Sequence, residues 1–145
     1  MSIAYKTERA TNVTVSSVFI PVEIPRRGRK EKQVAVCVQA TFGNIGHQRL
    51  VEWLEMQRLL GVSNIGVYNT PATHPDTRRT LAQYDATSFV EVRTIAYPDG
   101  VSGGGHWLLV NLAAINDCIY RHVYTHHFIA VLDFDEALFY FLLCM

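Results

Sequence analysis

With 145 residues, 49% of them hydrophobic, the chain has the length and apolar content of one ordinary globular domain, which excludes a wholly disordered segment. Lysine plus arginine and aspartate plus glutamate balance at 13 each, so no net charge argues for a nucleic-acid partner. No apolar stretch reaches the ~20 residues of a membrane-spanning helix, and the N-terminus lacks the charged-then-apolar pattern of a signal peptide.

Residues 1–32 have weak periodicity and read as an N-terminal extension or linker. They end in the basic run Arg26-Arg27-Gly28-Arg29-Lys30-Glu31-Lys32, either a contact for an anionic surface or, more simply, a solvated connection. Residues 18–24 are compatible with an edge strand, because Pro21 and Pro25 exclude a central one. Residues 33–38 are apolar enough for a first buried strand. A helix follows over 47–60, with Leu50, Trp53, Leu54 and Leu60 on the apolar face and Gln48, Glu52 and Glu55 on the polar one. Glu52 and Trp53 are explained as helix surface and core, and Gly61 falls where a left-handed cap ends such a helix.

The pattern then predicts a strand at 65–68, a helix at 75–84 opened by Pro75, and an alternating strand at 89–95. A third helix over 107–122 and a fourth strand over 128–133 complete the series. Strands alternating with helices imply right-handed crossovers and a mostly parallel sheet, whose ligands bind beyond the carboxyl ends of the strands.

At such an end stands Phe128-Ile129-Ala130-Val131-Leu132-Asp133-Phe134-Asp135-Glu136, an apolar run stopped by three carboxylates. Carboxylates this close repel by about 4 kcal/mol per pair at ~4 Å and an effective dielectric of about 20. A hard divalent cation relieves that repulsion while sharing carboxylates with substrate phosphates, so Asp133 and Asp135 are candidate metal–diphosphate ligands. Spacing alone leaves open a solvated strand end followed by a turn.

Three cysteines, Cys37, Cys118 and Cys144, form neither a dense disulfide framework nor a Cys-x-x-Cys zinc site; one bridge with a leftover thiol and three free thiols both stay open. His122, His126 and His127 have a spacing that could hold zinc if the helix continued. Residues 100–105 are rich in glycine and could cradle a phosphate ahead of the next helix, but they lack the lysine of a P-loop and read as a loop. Residues 39–44 follow the first strand, where such folds contact a nucleotide.

Several segments in register resemble glycosyltransferase family 92. They are Val36-Cys37-Val38, then Leu50-Val51-Glu52-Trp53-Leu54-Glu55 and Arg58-Leu59-Leu60-Gly61-Val62, then Ala113-Ala114-Ile115-Asn116-Asp117-Cys118-Ile119-Tyr120-Arg121, and finally Leu132-Asp133-Phe134-Asp135-Glu136. Two positions depart from the family pattern: Ala137 stands where an aromatic is usual, and Asn111 where glutamine is common. The resemblance implies an α/β GT-A fold, with residues 33–145 forming its Rossmann-like, nucleotide-sugar-binding half. It implies metal-dependent, inverting transfer of a sugar, typically galactose from UDP-galactose, to a glycan acceptor. Asp135 would bind Mn²⁺ or another divalent cation, and Asp133 the metal shell or the donor ribose. Cys37 and Cys118 match family cysteines, which implies a disulfide in an oxidising lumen.

Family members are usually Golgi membrane proteins, so a membrane association is expected only through an anchor absent from this chain. The acceptor-binding half and the catalytic base are expected beyond Met145, making the chain an incomplete and inactive piece, or a non-catalytic fragment that at most binds nucleotide. A phosphotransferase of the haloacid dehalogenase type also places Asp-x-Asp after an apolar strand. That family wants threonine or valine where Ala137 stands and carries the motif on its first strand. Asn116 and Asp117 are further candidates to face the donor pocket, with a solvated helix turn as the alternative.

Overall fold

A computed structural model describes residues 32–97 and 106–137. The possible edge strand at 18–24, the glycine-rich loop at 100–105 and the apolar tail from 138 lie outside the described residues. Within them the chain runs β1 (Lys32–Val38), β2 (Thr41–Gly43), α1 (His47–Leu59), β3 (Asn64–Thr73), α2 (Pro75–Asp85), β4 (Val90–Thr94), α3 (His106–His122) and β5 (His126–Leu132).

All strand pairings are parallel. Ile65 of β3 pairs with Val36 on one edge and Val90 on the other, while Asn69 pairs with Thr41 and Thr94 in the same way. β2 therefore prolongs β1 along one edge of β3, and the strand order is β4-β3-β1-β5. From β1 the chain steps outward to β3 and β4, then returns across β1 to lay down β5. Right-handed crossovers put α1 and α2 on one face of the sheet and α3 on the other, so the direction of winding reverses between β1 and β5.

The pleat distributes the core accordingly. Val36, Val38, Ile65 and Val67 pack under Leu50, Trp53, Leu54 and Leu81. Cys37 and Tyr68 face the other way, against Val110, Ala114 and Cys118 of α3. α1 stops as its sequence predicts: Gly61 has φ 83°, the Val62 N–H donates to Gln57 O at 3.1 Å, and the Gly61 N–H donates to Arg58 O at 3.1 Å. His74 caps α2 by accepting from the Asp76 N–H, with Pro75 next in the first turn.

The sequence predicts β3 as far as residue 68 and no β2, whereas β3 runs on to Thr73 alongside β2. There, hydroxyls from a distant segment replace apolar packing. Thr41 Oγ1 lies 2.7 Å from Thr73 Oγ1, and Thr70 Oγ1 donates to Thr41 O at 2.7 Å, all buried.

Cys37 and Cys118 are joined, as the family resemblance implies, and the bridge ties the centre of β1 to α3. Closing a loop between residues 81 apart stabilises the fold by about 4 to 5 kcal/mol in the chain-entropy description. The bridge needs Gly66 beneath it, since a Cβ there would stand 2.6 Å from Cys118 Sγ. Gly66→Ala should cost about 1–3 kcal/mol of stability in urea unfolding. The penalty should shrink in a Cys37→Ala/Cys118→Ala background; an equal cost in both would rule out the sulfur contact as its cause.

Candidate functional site

β5 ends with Leu132 buried in the core and then delivers its acidic turn to the surface. The turn is closed on both sides. The Glu136 N–H donates to Asp133 O at 3.0 Å, and the Asp133 N–H donates to a Glu136 carboxylate oxygen at 3.0 Å. α1 holds it in place: Trp53 Nε1 donates to Glu136 O at 2.7 Å, and Gln57 Nε2 donates to the same oxygen at 3.1 Å. The Phe134 ring meets Trp53 edge-on with centroids 5.0 Å apart. A residue pair 83 positions apart thus fixes the acidic turn.

Burial pushes the Asp133 carboxyl above its usual range, and the charges of Glu136 and Asp135 push it the same way. Among the described residues neither Asp133 nor Asp135 forms an ion pair. No group of three or more His, Cys, Asp or Glu among the described residues is arranged to hold a metal. The available set is therefore two hard carboxylates with excess negative charge. That set fits a divalent cation whose remaining ligands are phosphate oxygens and water, and it does not fit a cation enclosed by protein alone.

Beside the turn lies a cavity of about 470 Å³. Its walls are the β1–β2 connection at Gln39 and Ala40, the rings of Phe42 and Trp107, and Asn111 and Asp133. Val38 pairs with Leu132, so Gln39 and Asp133 are the next residues of neighbouring strands at the point where the winding reverses. Asn111 is buried and braces this floor from α3. Its Oδ1 accepts from the Ala40 N–H at 3.0 Å, and its Nδ2 donates to Gln39 Oε1 at 3.0 Å.

Residues 32–141 match the domain of glycosyltransferase family 92. The chain belongs to that family. It is 29% identical over 129 residues to the Beta-1,4-galactosyltransferase galt-1 of Caenorhabditis elegans, a match covering 81% of this chain. The chain spans 30% of the length of that relative. No helix among the described residues is long and apolar enough to cross a membrane.

Set in this family 92 fold, Asp133 and residues 39–42 of the 39–44 segment come together at one cavity, with Asp135 exposed on the turn beside it, while Asn44 lines a separate pocket with His47 and Asp76. Asn116 and Asp117 do not line that cavity. Asn116 is exposed and donates to Leu112 O at 2.7 Å. Asp117 accepts from Tyr68 Oη across the β3–α3 contact and from Arg121 Nε one turn further along α3, both at 2.7 Å. His122 ends α3 and His126 opens β5, with their rings 4.8 Å apart, while His127 is exposed. Sequence reasoning misses the roles of Trp53, Gln57 and Asn111. The available signal is an amide at a core-facing helix position, because a buried amide must be bonded to something.

Trp53→Phe keeps an edge-on ring against Phe134 but removes a donor to Glu136 O, and should cost about 1–2 kcal/mol of stability. Hydrogen exchange at the Asp133 and Glu136 amides should speed up; unchanged exchange there would show that α1 does not hold the turn. A second expectation concerns Asp117. Burial raises its pKa, but hydrogen bonds from Arg121 and Tyr68 and the charges of Arg121 and Arg93 outweigh that and hold it below the usual range. A depressed carboxyl contributes stability above its unfolded pKa and loses it as pH falls through the folded value. The stability gap between the native chain and Asp117→Asn should therefore be widest at neutral pH and close below about pH 4. A gap independent of pH would mean that the charge is not what Asp117 contributes.

Proposed function

We propose that the chain is the donor-binding part of a metal-dependent, inverting glycosyltransferase that moves a sugar, galactose from UDP-galactose, to a glycan acceptor. The observation that carries this reading is the braced acidic turn opening onto a cavity at the strand switch point. Family membership and the galactosyltransferase activity for which the nematode relative is named support the transferase class and the sugar.

In this reading Asp135, exposed on the turn, and Asp133, at the cavity mouth, hold the cation. Mn²⁺ or another divalent ion bound there supplies charge neutralisation for the nucleoside diphosphate leaving group. The chain's own contribution is placement. The closed turn presents Asp133 at the cavity, and Phe42 and Trp107 offer apolar walls to the nucleoside. The role proposed for the described residues is donor binding. The Cys37–Cys118 bridge supports an oxidising compartment, and a Golgi lumen is the location proposed.

Calorimetric titration of UDP into the purified chain with Mn²⁺, repeated with Asp135→Ala, tests the reading. Binding should require the cation. Asp135→Ala should weaken it by at least the ~10- to 100-fold that loss of even an outer-shell partner costs a metal site. A folded chain that binds no UDP, or binds it equally without Mn²⁺, would refute the proposal.

A further inference from the structure

The amide chain at the cavity floor fixes something that no distance states directly. A backbone N–H can only donate, so the Asn111 atom 3.0 Å from the Ala40 nitrogen must be Oδ1. The other end of that amide is then Nδ2, which can only donate, so the Gln39 atom 3.0 Å from it must be Oε1. Asn111 is 5% exposed, and turning either amide over would set donor against donor or acceptor against acceptor with little water to relieve the mismatch. Gln39 is thereby left with its Nε2 hydrogens as the free polar end, and among the described residues they have no partner.

Gln39 and Asp133 follow the paired residues Val38 and Leu132, and both line the cavity. A fixed N–H donor and a carboxylate acceptor thus line one cavity, each one residue beyond a paired position of neighbouring strands. A hydroxyl, which donates once and accepts through its lone pairs, is the group that satisfies both at once. A phosphate oxygen can use only the donor, and a base carbonyl likewise.

We propose that Gln39 donates to a ribose hydroxyl of the bound nucleotide, beside Asp133, and that Asn111 is the positioning residue that keeps the Gln39 amide turned that way. The assignment rests on the donor-site reading above. It makes the cavity selective for ribonucleotides over their deoxy forms. It also gives the site an inversion test. With Asn111→Asp, one carboxylate oxygen still accepts from Ala40, while the other accepts from Gln39. The Gln39 amide turns over and faces the cavity with its oxygen, putting two acceptors beside one hydroxyl.

The test is calorimetric titration of the full chain, with Mn²⁺ present, by UDP, 2′-deoxy-UDP and 3′-deoxy-UDP. The native chain should bind UDP about 10-fold more tightly than at least one deoxy form, the size of effect expected for one satisfied hydrogen bond. Gln39→Met, which has similar length but no donor, should bind UDP less tightly, with a smaller preference over that deoxy form because only the hydroxyl's bond to Asp133 remains, and still require the cation. Asn111→Asp should narrow the same preference, with its fold checked by circular dichroism. Should the buried charge prevent folding, Gln39→Met carries the test by itself. Gln39→Met retaining the native selectivity, or a native chain indifferent to both deoxy forms, would overturn the assignment while leaving the donor-site reading standing. A folded native chain that binds no UDP overturns the reading itself.

Discussion

The site depends on the register between β1 and β5. Along the ladder from Lys32↔His126 to Val38↔Leu132, the two strands stay in step and end together. β1 is buried on both faces from Val34 to Val38, so its pairing cannot slip without moving Val36 and Val38 out of one core layer and Cys37 out of the other. The consequence lies one residue further on. Gln39 and Asp133 follow the last paired positions because the register beneath them is set by the burial of β1, which has nothing to do with a ligand.

Carboxylates crowded at a strand end would spread apart if the backbone allowed it. Here it does not, because Glu136 is spent on the turn itself. Its carboxylate caps the Asp133 N–H, and its carbonyl is held by Trp53 and Gln57. The turn is stabilised by the same residue whose charge raises the Asp133 pKa. In the proposed reading a cation relieves that conflict, because one closed turn carries both Asp133 and Asp135. This is the physical ground for reading Glu136 as a brace and the two aspartates as ligands, although all three are adjacent in sequence.

Most of the fold is legible in the sequence because its central strand β1 is buried on both faces and its helices bury one side against the sheet. Apolar runs of the right length, ended by Gly61 or opened by Pro75, locate six of the elements to within a residue or two. β2 and the far half of β3 escape because Thr41, Thr70 and Thr73 satisfy one another across 32 positions, and no local pattern announces such a network. The site divides in the same way. Asp133 and Asp135 are visible as charge where apolar sequence stops. Trp53, Gln57 and Asn111 look like ordinary helix residues, because what gives them a role is a backbone atom elsewhere in the chain. The Cys37–Cys118 pairing is reached through family resemblance, since three cysteines alone leave the partner open.

α3 carries two attachments to the β1 region, and they act on the same stretch of backbone. The disulfide joins Cys37 to Cys118, and about two turns of helix away Asn111 bonds to Gln39 and Ala40. A single attachment would let the helix pivot; two spaced along its axis fix both its height over the sheet and its rotation. The position of the Asn111 amide is therefore set by a covalent bond it does not touch. Gly66 makes that bond possible by leaving room beneath Cys118. A glycine on β3, a disulfide on the far side of the sheet from α1, and an amide at the cavity floor form one mechanical chain. Every link of it lies in or against the two central strands, β1 and β3, where the sheet has least freedom to relax.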